Sequence, residues 1–210
     1  MGKTGPLPRL WGRRGPSSVY NHAMNGVTGI VLAGGQGRRM GGVDKGLQLL
    51  HGKPMVAHVL ARLAPQVAEI IINANQNLDA YGGFGYRVVP DAIGGFAGPL
   101  AGLHAGLGAA SRPLVLTVPC DSPFLPPDLF SRLKKELQEN DLAVVRTADQ
   151  PHPVFSLVRI SVLDHLSKFL SAGGRKIDAW YSTLKVAEVP FDDEADAFRN
   201  INTREELNNA

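Results

Sequence analysis

The chain has 210 residues and 44% hydrophobic content, enough to bury one core of its own, so a single domain is expected. Its one cysteine, Cys120, excludes an internal disulfide framework and a cysteine-built zinc site, and no apolar run nears the roughly 20 residues that span a bilayer. The net charge of +3 invites a nucleic-acid reading, but Lys3, Arg9, Arg13 and Arg14 lie in residues 1–23 with no acid beside them, so the other 18 cations face 19 acids and neither nucleic acid nor membrane is expected as a partner.

Residues 1–23 are rich in Gly, Pro and Arg and lack any helical or alternating pattern, so they read as a disordered basic extension. They also lack the apolar stretch of a secretory signal, and a cytoplasmic location is expected. Residues 24–210 read as one domain. Gly29–Ala33 is a short, continuously apolar strand of the kind buried on both faces. A helix is expected over 54–66, with Val56, Val59, Leu60, Leu63 and Val67 on one face. Strands follow at 69–73 and 86–89, then a small-residue helix at 99–110 that can pack closely on a sheet. A buried strand at 114–118 precedes a helix over 126–138 striped by Leu129, Phe130, Leu133 and Leu137. Two more strands are expected at 142–146 and 154–158. A helix over 161–172 opens on Ser161 and Asp164 in capping spacing and stops at Gly173-Gly174, and a last helix opens on Thr203 and Glu206 in the same spacing. Strands alternating with helices imply a three-layer α/β/α sandwich on a mostly parallel sheet. Such sheets bind ligands at the carboxyl ends of their strands, which directs attention to residues 34–46, 73–77, 90–98 and 119–124.

The first of these loops continues the first strand as "LAGGQGRRMGGVDKG". Its glycines let backbone N–H groups turn inward as an anion nest, and Arg38, Arg39 and Lys45 add positive charge, so the loop suits a polyphosphate better than open solvent. It is neither of the common phosphate loops. Lys45 is followed by Gly46 where a P-loop needs Ser or Thr, and Met40 stands where a dinucleotide fingerprint needs its third glycine. Asp121 follows the strand at 114–118. A lone carboxylate there can hold Mg²⁺ against phosphate oxygens, but Asp-Ser-Pro is also a good turn, and the residue types leave both readings open. The six histidines show no metal-ligand spacing, and Cys120 reads as a small buried hydrophobe.

The glycine loop resembles that of the nucleotidyltransferases which activate small molecules with a nucleoside triphosphate. With four further stretches, "NAN" at 73–75, "PD…GPLAGLHAGL" at 90–107, "PCDSPFLPPDL" at 119–129 and "NINTREEL" at 200–207, residues 25–210 are similar to the molybdenum cofactor guanylyltransferases, the MobA type. The resemblance implies a Rossmann-like, GT-A-type nucleotidyltransferase fold. It implies that GMP passes from GTP to the terminal phosphate of molybdenum-molybdopterin, with pyrophosphate released. It implies Mg²⁺ on Asp121, and a nucleotide held by Leu32, Ala33, Gly34, Gly35, Gly37, Lys45, Asn73, Asp91 and Asp121. Lys45 and Asp121 would be catalytic, with Arg39 or its neighbour Arg38 assisting, and the second substrate would meet Arg175, Asn200 and Asn202. A monomer is expected, with cofactor-loading proteins of molybdoenzymes as partners. The alternatives are a cytidylyltransferase acting on the same cofactor and a non-catalytic nucleotide-binding module. His152 is expected to be structural.

Overall fold

A computed structural model describes residues 26–35, 43–93, 98–148 and 150–208. In chain order it holds β1 (Val27–Leu32), a small hairpin of β2 (Leu49–Leu50) and β3 (Lys53–Pro54), α1 (Met55–Leu63), β4 (Glu69–Asn73), α2 (Leu78–Gly82), β5 (Arg87–Val89) and α3 (Pro99–Ala109). After these come β6 (Leu114–Pro119), α4 (Leu129–Leu137), β7 (Leu142–Thr147), β8 (Gln150–Arg159), α5 (Leu163–Ser171), α6 (Ile177–Tyr181), β9 (Val186–Pro190) and α7 (Arg204–Asn208). The main sheet has seven strands in the order β5-β4-β1-β6-β8-β7-β9, and all but β8 run parallel.

The exception has a simple cause. Only two residues separate β7 from β8, too few for the crossover a parallel pair needs, so β8 must return antiparallel. The strand expected at 154–158 is therefore the second half of a longer hairpin arm. The pair shifts register between Val144 and Val145.

Successive side chains of each central strand go to opposite faces. Ile70 and Ile72 of β4 join one core with Val56, Val59, Leu60 and Leu63 of α1 and Leu129, Leu133 and Leu137 of α4. Ile71, between them, joins a second core with Leu100, Leu103 and Leu107 of α3, Leu166 and Leu170 of α5, and the fully buried Trp180 of α6. These two cores are the outer interfaces of the expected three layers. Among the described residues, no helix is long and apolar enough to cross a membrane.

Several local expectations are corrected. The helix expected from 126 begins at Leu129, after Pro126 and Pro127. Ser161 does not cap α5. It lies in a 3-10 turn, Ile160–Val162, and the position before the helix is Val162, with no side-chain hydrogen bond. The stop at Gly173 holds: Gly173 and Gly174 donate their N–H groups to Leu170 and Phe169, as a Schellman ending requires. The box at Thr203 and Glu206 also forms, since Glu206 N donates to Thr203 Oγ1 at 3.1 Å and Thr203 N donates to Glu206 Oε2 at 3.0 Å. β9 was not expected. Only Val189 of its five residues is buried, so the strand carries too little apolar signal to be read as one.

The register positions the site. Leu32 pairs with Asn73 on one side and with Pro119 on the other, and Asn73 pairs with Val89. The four parallel strands thus end level, and residues 33–35, 74–77, 90–91 and 120–122 leave the sheet along one edge.

Candidate active site

Two polar clusters stand on this edge, on either side of the end of β1. The first gathers at the end of β6. Asp121 is only 9% exposed there. Lys45 Nζ, from the 3-10 turn Lys45–Leu47, lies 3.3 Å from Asp121 Oδ2 and donates to Asn202 Oδ1 at 2.5 Å. The segment carrying Asn202 is tied down at Asp121 as well: Ile201 N donates to Asp121 O at 2.9 Å. Ser122, fully buried, donates its hydroxyl to Asn200 Oδ1 at 2.5 Å. Asn200 and Asn202 therefore face one corner, as residues two apart on an extended segment do. Burial pushes the Asp121 carboxyl above the usual carboxylate range, and Lys45 only partly restores it.

This donor set limits the metal that fits. Among the described residues no group of three His, Cys, Asp or Glu could form a protein cage for an ion. A single buried carboxylate whose ionised form is costly suits a cation that takes one or two protein carboxylates and completes its shell with phosphate and water.

The second cluster joins β4, β5 and the start of the glycine loop. Asn73, 2% exposed, donates to Asp91 Oδ1 at 2.8 Å and to Val89 O at 3.2 Å. Asn75 donates to Asp91 Oδ2 at 2.8 Å and to Gly34 O at 3.3 Å, and accepts from Asp91 N at 2.8 Å. Asp91 is thus clamped on both carboxylate oxygens, with each oxygen retaining a second lone pair for a further donor. Gly102 of α3 lies against the Asn73 amide so closely that a Cβ would collide with it.

The remaining expected residues are placed as follows. Ala33 N donates to Asn73 O, Leu32 O accepts from Cys120 N, and Gly35 is exposed beyond them. Arg175 stands apart from both clusters, with its guanidinium on Leu170 O and Gly174 O at the end of α5. Gly37, Arg38 and Arg39 lie outside the described residues. Cys120 is buried, as expected, and His152 meets Thr147 Oγ1 at 2.6 Å and packs beside the Phe155–Phe198 ring pair.

The family model described as the MobA-like NTP transferase domain matches residues 29–186. The chain belongs to this family. MobA-like relatives cover nearly all of it: it is 53% identical over 192 residues to the molybdenum cofactor guanylyltransferase of Cupriavidus necator, spanning 88% of this chain and 96% of that protein. The enzyme of the same name from Ralstonia nicotianae is 51% identical over 192 residues, spanning 86% and 94%. Among solved structures, the molybdopterin-guanine dinucleotide biosynthesis protein A of Archaeoglobus fulgidus superposes with a TM-score of 0.71 at 27% identity, covering 87% of this chain and 95% of that one. The 4-diphosphocytidyl-2C-methyl-D-erythritol synthase of Anaerococcus prevotii shares the fold, with a TM-score of 0.66 at 16% identity over 89% and 96% of the chains. The MobA-like domain is thus a nucleotidyltransferase on the expected α/β scaffold.

Two members of the clusters were missed by sequence reasoning. Asn75 had a usable signal: it lies two residues after Asn73, on the same face of an extended segment leaving a strand. Ser122 had none, because Asp-Ser-Pro is equally a turn.

Proposed function

We propose that this protein transfers GMP from GTP to the terminal phosphate of molybdenum-molybdopterin, yielding the guanine dinucleotide form of the cofactor and pyrophosphate. The observation that carries the reading is the Lys45–Asp121–Asn202 corner at the level end of β1 and β6, in a chain 53% identical to a molybdenum cofactor guanylyltransferase. An acceptor phosphate oxygen attacks the α-phosphorus of GTP, and the bond to the β-phosphate breaks. A phosphate monoester is largely ionised at neutral pH, so no general base is required. The work left to the protein is positioning and charge neutralisation.

Lys45 serves the departing pyrophosphate, joined by the backbone of the glycine loop from Gly34 and Gly35 to Gly37 and by Arg39. Asp121 is the metal-holding residue. When bound there, Mg²⁺ would supply charge neutralisation for the triphosphate. Asp91, fixed by Asn73 and Asn75, presents its outer lone pairs to donors of the nucleoside, while Leu32 and Ala33 lie along it. Asn200 and Asn202 serve the pterin substrate. The protein acts in the cytoplasm as a monomer and passes its product to cofactor-loading proteins.

The test is pyrophosphate release from GTP, CTP and ATP with Mg²⁺ and molybdenum-molybdopterin. Release with GTP far above the other two is expected. Equal release with CTP overturns the guanylyl assignment, and GTP binding without turnover overturns the enzyme reading.

A further inference from the structure

The turn that carries Lys45 is held from behind. Asp44 precedes the turn Lys45–Leu47, where an aspartate ordinarily folds its carboxylate back onto the turn's N–H groups, yet it makes no such cap. Its carboxylate goes to α2 instead. Tyr81 Oη donates to Asp44 Oδ1 at 2.6 Å, and Asn77 Nδ2 donates to Asp44 Oδ2 at 3.0 Å.

Both donors are suited to the task. Tyr81 is fully buried and needs a partner for its hydroxyl. Burial above all, with Cys120, Asp44 and Asp121 nearby, pushes the phenol far above its ordinary range, so it stays a donor at any working pH. Asn77 stands just before α2 at φ 52°, a left-handed conformation that asparagine tolerates better than most residues. Gly46 completes the fit. A Cβ there would stand 2.5 Å from Tyr81 Oη and 3.2 Å from Cys120 Sγ, so the backbone passes between the two with no room for a side chain. None of these contacts touches the Lys45 ammonium. They fix the backbone from which it extends to Asp121 and Asn202.

We propose that Tyr81 and Asn77, acting through Asp44, are positioning residues that aim Lys45 at the pyrophosphate end of the site. A long flexible side chain reaches a given point reproducibly only if its root is held, and a displacement of about 1 Å can cost about 10²-fold in rate. The inference rests on the role given above to Lys45, and not on the identity of the base.

The test is calorimetric binding of pyrophosphate and of GMP, each with Mg²⁺, to the wild type, Tyr81→Phe, Lys45→Met and the double variant. Tyr81→Phe removes one charge-assisted hydrogen bond, so pyrophosphate binding should weaken about tenfold while GMP binding stays within about twofold. In the Lys45→Met background the same change should add less than about twofold, because the pathway to the ligand is already cut. Asn77→Gly keeps the left-handed backbone and removes only the amide; it should show the same selective loss, and it decides the matter if Tyr81→Phe fails to fold. Equal losses for GMP and pyrophosphate, or a full effect without Lys45, overturn the proposal. If Lys45→Met weakens pyrophosphate binding but Tyr81→Phe and Asn77→Gly do not, the positioning idea alone fails. If Lys45→Met binds pyrophosphate normally, the role of Lys45 fails and takes this inference with it.

Discussion

At Asp121, burial and charge act in opposite directions. Burial raises the carboxyl's affinity for its proton, the Lys45 ammonium lowers it, and the balance stays above the ordinary aspartate range. The native protein thus holds a proton on Asp121 at pH values where the unfolded chain has released it. Stability from this group therefore falls as pH rises from the ordinary aspartate value through the raised native one. Lys45→Met removes the opposing charge, so Asp121 should titrate at still higher pH, and carbon NMR of labelled aspartate reads this directly. An unmoved titration would mean that Lys45 does not sense Asp121. Lys45 stands out in the sequence through its glycine-rich loop, whereas Asp121 stands out only through the resemblance, since Asp-Ser-Pro is equally a turn. The Asp44–Tyr81–Asn77 link was not legible, since it joins residues 33 and 37 positions apart through a short helix with no motif of its own.

At the scale of elements, legibility followed apolar signal. β1, β4 and β6 are buried on both faces and read clearly, whereas β9, with one buried residue, did not. α3 was legible as a small-residue helix, and the structure gives its smallness a reason beyond close packing. Gly102 leaves room for the Asn73 amide that holds Asp91. Gly102→Ala should cost about 1–3 kcal/mol in chemical denaturation, the usual range for overpacking a filled site. Because the new methyl meets the Asn73 side chain, nucleotide affinity should fall in the same variant. Gly108→Ala, on the same helix with open space at its Cβ, serves as the comparison and should raise stability by up to about 1 kcal/mol while leaving nucleotide affinity unchanged.

For the whole molecule, the three layers and the edge that carries the site followed from the alternation of elements, while the antiparallel β8 did not. The hairpin that reverses β8 depends on the exact ends of β7 and β8, and sequence patterns fix such ends least well. Gly26, whose carbonyl accepts from Leu114 N, leads directly into β1, and the family match begins at residue 29. We propose that residues 1–23 are dispensable: a chain starting at Met24 should keep the melting temperature and transfer activity of the full one, and a loss of either refutes this.

Base preference is likewise a property of the whole native state, because a ligand that binds only the folded protein stabilises all of it. At about 100 times its dissociation constant, such a ligand contributes about 2.7 kcal/mol. For a domain of this size that corresponds to a rise in melting temperature of about 5–10 °C. GTP with Mg²⁺ should produce a shift of this order, while CTP and ATP at the same concentration should produce markedly less. We propose that the Asp91 carboxylate, held by two asparagine amides, helps to hold the nucleoside by accepting from donors turned toward it. Asn75→Ala releases one of those amides, together with its contact to Gly34 O, and leaves Lys45, Asp121 and Asn202 in place. It should therefore shrink the GTP shift by more than the pyrophosphate shift, and equal losses would place Asn75 in the scaffold rather than in nucleoside recognition.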